Sequence, residues 1–513
     1  MKELASGKRI AKNTIYLYFR MMFTMIVSLY TSRVVLDVLG ICDYGIYQTI
    51  GGVVAMLSFI NNSLSMGSSR FLTYELGRGN FDKLKKTFST ILSVHVLLAI
   101  IVLILAETIG LWFIYNKLEL PVNRLDAAVT AYHFSVITVF IAIVQVPFNS
   151  TIISHERMSI YAYMSIIEAL AKLLVCYLIS AGSWDRLIIY SALLFLVQFF
   201  ITLFYRVYCS KNFKEANYKL SWDKSIIKGV LSYSGWNLFS NTSIALITQG
   251  TTIIINIFFS PSIVAARAIA NQVNAAANQF IGNFRTAVDP QIVKRYAAGD
   301  FDGSKRILLE STKFSFYMML ILALPICLVA EELLNIWLKE VPDYTVVFLR
   351  YAVITSLFQV LDSSLYTALY AKGTIRQNAI MSPTIMFFSF PIIYILYTIG
   401  YGPEVCAIVI LVAYAIIACL IKPFLLVRIV GYQINEIILM FINCAKVLIV
   451  SLPIPILIYV YSDILFTSTW IKFFSLVFVS IFVVAIVVWF IGLRKETRHS
   501  LIKVVNGYIK RVK

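Results

Sequence analysis

Charge is what this chain has least of. Of 513 residues only 14% are Asp, Glu, Lys or Arg, whereas 60% are hydrophobic and the mean hydropathy is +0.83. A soluble domain carries about a quarter charged residues and just under half apolar ones, so a water-exposed globule of this composition is excluded. Glycine (22) and proline (12) are too sparse for a fibrous or disordered chain. The seven cysteines (Cys42, Cys176, Cys209, Cys327, Cys406, Cys419, Cys444) show no CxxC and no paired spacing, so neither a disulfide framework nor a metal site is expected. His95, His133, His155 and His499 are far apart. A phosphate-loop glycine run, a GxSxG elbow and an HExxH helix are all missing, which speaks against an enzyme and against a bound cofactor.

What the chain has instead is apolar blocks of membrane-spanning length. Runs of about 20 residues between charged or turn-forming breaks predict fourteen spans. They fall at 13–36, 44–66, 88–114, 126–150, 158–181, 186–208, 229–258, 262–286, 308–337, 344–371, 378–400, 404–428, 436–461 and 467–493. The segment 262–286 is unusually polar for a span. Lys2, Lys8, Arg9 and Lys12 precede the first block without a small-residue cleavage site, so that block reads as an uncleaved span.

Lys and Arg outnumber Asp and Glu by 44 to 26. In a soluble protein that excess would suggest nucleic acid. Here 33 of the basic residues, against 12 acidic ones, lie in every second connection, the termini and their margins, while the intervening connections hold 7 basic and 11 acidic residues. The alternation sets topology, with both termini cytoplasmic, and gives no reason to expect a nucleic-acid partner. No loop is long enough for a soluble domain, and the basic tail 494–513 suits an anionic leaflet of membrane lipid.

An internal repeat organises the spans. A shift of 220 residues lays Gly79-Asn80-Phe81-Asp82 on Gly299-Asp300-Phe301-Asp302 and Lys85-Lys86 on Lys305-Arg306, and brings the first two spans onto the seventh and eighth. Six intervening spans give both copies the same orientation, a parallel repeat of the kind found in transporters. The expected architecture is all-α and polytopic. It comprises an N-lobe of six helices (1–208), a C-lobe of six (229–428), two further helices (436–493) and the cytoplasmic tail (494–513).

Polar groups are costly in lipid and normally face a protein interior or a wet cavity. The first span carries Asn13, Tyr16, Arg20, Thr24, Ser28 and Thr31 on one helical face, the second has Gln48, Ala55, Asn62 and Ser69, and the seventh has Asn237, Asn241, Thr248 and Thr252. The eighth has Arg267, Asn271, Asn274, Asn278, Gly282 and Arg285 in steps of three and four. These four spans are the first two of each repeat, and they predict a polar cleft. Isolated polar residues such as Gln145 and Asn149 read as helix–helix glue.

Charges inside spans define what such a cleft would hold. Arg20 and Arg267 have no acid one turn away and stand on matching stripes, whereas Glu168 and Lys172, and Arg33 and Asp37, are i,i+4 pairs. Lys446 is close enough to the inner edge to snorkel. A guanidinium stays protonated and suits phosphate oxygens, so an anionic, lipid-borne substrate is expected at Arg20, Arg267, Asn271, Asn274, Asn278 and Arg285, with Arg33 and Lys172 as further candidates. Asp37, Glu168 and Asp362, with Glu107, are the acids available for ion coupling, and none lies in a motif that separates H⁺ from Na⁺.

Two segments carry a family likeness. Thr31-Ser32-Arg33-Val34-Val35-Leu36-Asp37-Val38-Leu39-Gly40 with Asp43-Tyr44-Gly45-Ile46-Tyr47 resembles the first outer turn of the polysaccharide transporters of the multidrug/oligosaccharidyl-lipid/polysaccharide (MOP) exporter superfamily, the Wzx-type O-antigen and capsule flippases. Ser68-Ser69-Arg70-Phe71 through Glu75-Leu76-Gly77-Arg78-Gly79-Asn80 resembles that family's first inner loop. The resemblance implies a rocker-switch carrier in the bacterial cytoplasmic (inner) membrane, moving an undecaprenyl-diphosphate-linked oligosaccharide to the outer leaflet and working beside polysaccharide-assembly proteins. It implies that cavity cations, here Arg20 and Arg267, hold the diphosphate or acidic sugars. A drug or cation antiporter of the same superfamily is the alternative, disfavoured by the lack of a mid-membrane acid on the seventh and eighth spans. A membrane polymerase would need a larger outer loop.

Overall fold

The computed structural model describes residues 2–57, 68, 71–72, 75–76, 79–155, 157–179, 184–219, 221–228, 245–374, 376–466, 468–493 and 498. Among them every regular element is a helix. We label the helices α1 (Lys2–Leu57), α2 (Phe81–Lys117), α3 (Val122–Ser154), α4 (Met158–Ile179), α5 (Arg186–Asn212), α6 (Leu246–Phe258), α7 (Pro261–Ala297), α8 (Phe301–Leu328), α9 (Ala330–Trp337), α10 (Thr345–Lys372), α11 (Arg376–Ile399), α12 (Val405–Val430), α13 (Ile434–Val460) and α14 (Thr469–Gly492). Eleven are long and apolar enough to cross a membrane among the described residues: α1 to α5, α8 and α10 to α14.

The expected spans map onto these helices with three departures, one of them the ninth span (308–337), which divides between α8 and α9 at Val329. The first span and the start of the second are one run, α1, broken where Gly40 takes φ 79°, ψ 166°, a conformation open to glycine alone. The anticipated outer turn is therefore a single-residue kink. The expected eighth span is the 37-residue α7, whose polar stripe leaves it outside the set of apolar helices. The rest of the second span and of the inner loop after it, most of the first half of the seventh span (Asn237 and Asn241 included), and nearly all of the tail 494–513 lie outside the described residues, as do the side chains of Asn13, Tyr16, Arg20, Ala55, Asn62 and Ser69.

The repeat is visible in turn chemistry. Gly79 and Gly299 both sit at positive φ (72° and 81°), and their amides bond back to Leu76 and Tyr296 carbonyls at 3.1 Å in each case. Asn80 then caps α2 by accepting from the Lys83 amide, and Asp300 caps α8 by accepting from the Gly303 amide. A short polar side chain at the cap satisfies an N–H that the first helical turn leaves without a partner. The same four-residue signal thus makes the same loop-to-helix transition twice.

By contact the chain forms two compact units. The first holds residues 1–269, 338–344 and 386–406, and the second holds 270–337, 345–385 and 407–513. Within the first unit α2, α3 and α5 pack around Phe88, Phe148, Ile152, Ile201 and Tyr205. A second cluster joins Ile46, Ile50, Ala106, Ala131, Tyr132 and Ile253. In lipid, helices gain little by hiding apolar surface and associate through close packing and hydrogen bonds. Tyr132 does both: its hydroxyl donates to the Ala106 carbonyl at 2.8 Å, filling the widened π-helical turn Ala106–Gly110. Gly45 meets the start of α7 so closely that a Cβ there would lie 1.9 Å from the Pro261 carbonyl oxygen. Outside the spans, Glu215 is 4% exposed beneath α2 and bonds His155 Nε2 at 2.5 Å. Within the second unit Ile292, Leu308, Leu365, Leu369, Leu425 and Met440 join α7, α8, α10, α12 and α13. Large side chains such as Ile109, Phe478 and Phe490 remain exposed, as lipid-facing residues do.

Candidate functional site

The helical repeat of α7 puts its polar residues on one stripe, and the structure gives them different company. Arg267 is 8% exposed. Its guanidinium donates to the Thr252 hydroxyl at 2.7 Å and to the Thr248 and Ile247 carbonyls at 3.2 and 3.4 Å. Asn271 is exposed. Asn274 accepts from the Ser356 hydroxyl, and Asn278 donates to Asn274, to Ser356 and to Gln359 Oε1, so this pair ties α7 to α10. Arg285, 6% exposed, is 2.5 Å from Asp289, donates to the Ser311 and Thr367 hydroxyls and reaches the Ser364 carbonyl.

The charges of Asn278's neighbours gather round a cavity of about 380 Å³ in the second unit, walled by Asn278, Ile281, Gly282, Arg285, Asp289, Gln359, Val360, Asp362, Ser363 and Tyr414. Asp362 lies on its wall. Behind it Lys422 of α12 is 2% exposed, 2.9 Å from Asp362, bonded to the Asn378 carboxamide and 5.2 Å from the centre of the Tyr366 ring. Lys422 and Asp289 are the members that sequence reasoning missed. Both sit where spans and basic loops merge, so each counted as topology.

The remaining candidates are apart from this cavity. Lys172 is 2.6 Å from Glu168, the expected i,i+4 pair. Arg33 and Asp37 wall a smaller cavity of about 200 Å³ in the first unit with Gly40, Lys339 and Glu340, and Asp37 is 2.5 Å from Lys339. Glu107 is 3.0 Å from His133. Of the four acids available for ion coupling, Asp37, Glu168 and Asp362 thus have a lysine partner and Glu107 a histidine.

Buried charge sorts these residues. The buried charged side chains of the described residues are Glu75, Glu215, Arg267, Arg285, Lys313, Glu332 and Lys422. Six have an acidic or basic partner: Lys83, His155, Asp289, Glu310, Lys472 and Asp362 respectively. Arg267 alone among them has none. Arg350, half-buried and likewise close to the start of its helix, is an analogue held by the Cys327 carbonyl and the Tyr459 hydroxyl. No group of three or more His, Cys, Asp or Glu among the described residues could hold a metal.

A family model described as "Polysaccharide biosynthesis protein" matches residues 10–295, more than half of the chain. The chain belongs to this polysaccharide biosynthesis family. Members of the fold are recognisable among solved structures. Lipid II flippase MurJ, in an inward closed conformation, is similar with a TM-score of 0.67 at 12% identity, over 93% of this chain and 98% of MurJ. A multidrug resistance MATE family transporter of the MOP superfamily, inward-facing, gives 0.66 at 13% identity over 84% of this chain and 98% of the transporter. A MOP superfamily transporter from Pyrococcus furiosus gives 0.58 at 12% identity over 85% and 96%. These likenesses establish that this family member has the all-helical MOP exporter fold of a multi-pass membrane protein. No curated protein matches the sequence significantly.

Proposed function

We propose that the protein is a flippase that carries an undecaprenyl-diphosphate-linked oligosaccharide from the inner to the outer leaflet of the bacterial cytoplasmic membrane. The observation that carries this reading is Arg267, a buried guanidinium with no carboxylate partner among the described residues, in a chain of a polysaccharide biosynthesis family. Holding an uncompensated cation in a low-dielectric interior is costly, and an anionic ligand offsets that cost. Arg20 shares the role as its counterpart on the first span. The N-lobe 1–208 and C-lobe 229–428 alternate access, the two helices of 436–493 follow them in the chain, and the basic alternation of loops keeps both termini cytoplasmic. Arg285 and Lys172 have acid partners, which leaves them weaker anion ligands than Arg267.

Cation antiport is less well supported, because Asp37, Glu168 and Asp362 are each opposed by a lysine. Among the described residues no cluster of side chains favours catalysis over transport.

Deleting the gene and assaying lipid-linked glycan by leaflet tests the proposal. Accumulation on the cytoplasmic side with loss of surface polysaccharide is expected, and Arg267→Ala should reproduce it at normal protein level. Unchanged glycan with altered sensitivity to toxic cations would overturn the flippase reading in favour of antiport.

A further inference from the structure

The cavity between α7, α10 and α12 is polar yet electrically balanced. Arg285 faces Asp289 at 2.5 Å, and Asp362 faces Lys422 at 2.9 Å. The donors of Arg285 are further engaged by Ser311, Thr367 and the Ser364 carbonyl. A diphosphate entering here would meet two carboxylates beside a cation that is already countered. A neutral polyhydroxyl group would meet what it needs: carboxylate and carboxamide oxygens and N–H groups to exchange hydrogen bonds with neighbouring hydroxyls, and the Tyr414 ring against which to lay an apolar C–H face. The volume, about 380 Å³, lies within the range of small-molecule sites.

We propose that this cavity is a glycan subsite, receiving an uncharged sugar ring of the lipid-linked oligosaccharide and not its diphosphate. The inference rests on the flippase reading and adds to it a residue set that recognises the sugar. Gly282 is the means of testing it. A Cβ built there meets nothing within 4 Å, so a substitution begins its side chain in open space on the cavity wall.

The test uses the full-length protein in lipid nanodiscs with two probes: the undecaprenyl-diphosphate glycan that accumulates in cells deleted for the gene, and undecaprenyl diphosphate without sugar. Gly282→Leu should weaken binding of the glycan-bearing lipid about ten-fold or more, the effect of losing two hydrogen bonds, while the bare diphosphate lipid binds as to wild type. Gln359→Leu should show the same selectivity to a smaller degree, and it carries the test if Gly282→Leu does not fold. Equal weakening of both probes, or no weakening of either, would overturn the glycan subsite. If wild type bound neither probe, the flippase reading itself would fall and the subsite with it.

Discussion

Lys422→Met removes one half of an ion pair whose lysine is the most deeply buried charged side chain among the described residues. Methionine keeps much of the lysine's length, so packing changes little and the effect is electrostatic. Breaking a buried pair by deleting one partner generally costs about 3–5 kcal/mol, because the other charge is left without compensation. Here the remaining charge is Asp362, whose side chain is 23% exposed on a cavity wall, where water reaches it. A loss nearer 2–3 kcal/mol is therefore expected for Lys422→Met. Asp362→Asn leaves the opposite problem, an ammonium 2% exposed with only Asn378 and the Tyr366 face, and should cost about 3–5 kcal/mol. The double variant has no charge to strand and should return to within about 1 kcal/mol of wild type. Denaturation of the four proteins in detergent, followed by loss of helical signal, gives the cycle. Single variants as stable as wild type, or a double variant worse than either single, would refute the reasoning.

Gly45→Ala places a methyl 1.9 Å from the Pro261 carbonyl oxygen, a clash of backbone that cannot rotate away, and should lower stability by about 1–3 kcal/mol, read as a fall in melting temperature. Arg124→Ala should cost about 2–4 kcal/mol because it leaves Asp43 and Asp185, each 2.5 Å from that guanidinium, without their shared cation. Arg124→Lys should recover less than half of this, since an ammonium cannot reproduce a fork bonded to both carboxylates. Burial, the largest single influence, pushes the Glu215 carboxyl up, but the His155 hydrogen bond, a backbone hydrogen bond and the charge of His155 together outweigh it and hold the group below its ordinary 4.5. Its stabilising contribution is therefore present above pH 4.5 and lost as the pH falls through the lower folded value, so Glu215→Gln should melt earlier than wild type at neutral pH and converge with it once the pH has fallen below that folded value.

Helix existence was legible because a span in lipid is set by length and apolarity, and the blocks at 404–428, 436–461 and 467–493 lie within two or three residues of α12, α13 and α14 at either end. The GxFD repeat was legible because capping is local chemistry: Asn80 and Asp300 act on amides three residues away. Gly40 was harder. A kink and a turn leave the same signal of glycine after an apolar run, and backbone conformation separates them. Pairing across helices was not legible at all. Lys422 stands 60 residues from Asp362 in sequence, and a basic residue near a span end reads as an inner margin by the same rule that gives the topology.

Arginine stripes alone overstate how many cations are available to a ligand. Arg267 and Arg285 are equivalent by spacing on α7, both buried, both rich in donors, yet one has Asp289 a turn away and the other has carbonyls and a hydroxyl. Neutral oxygens satisfy a guanidinium's directions but leave its charge standing, whereas a carboxylate removes both needs at once. Burial without charge compensation is thus the property that separates a ligand-seeking cation from a structural one.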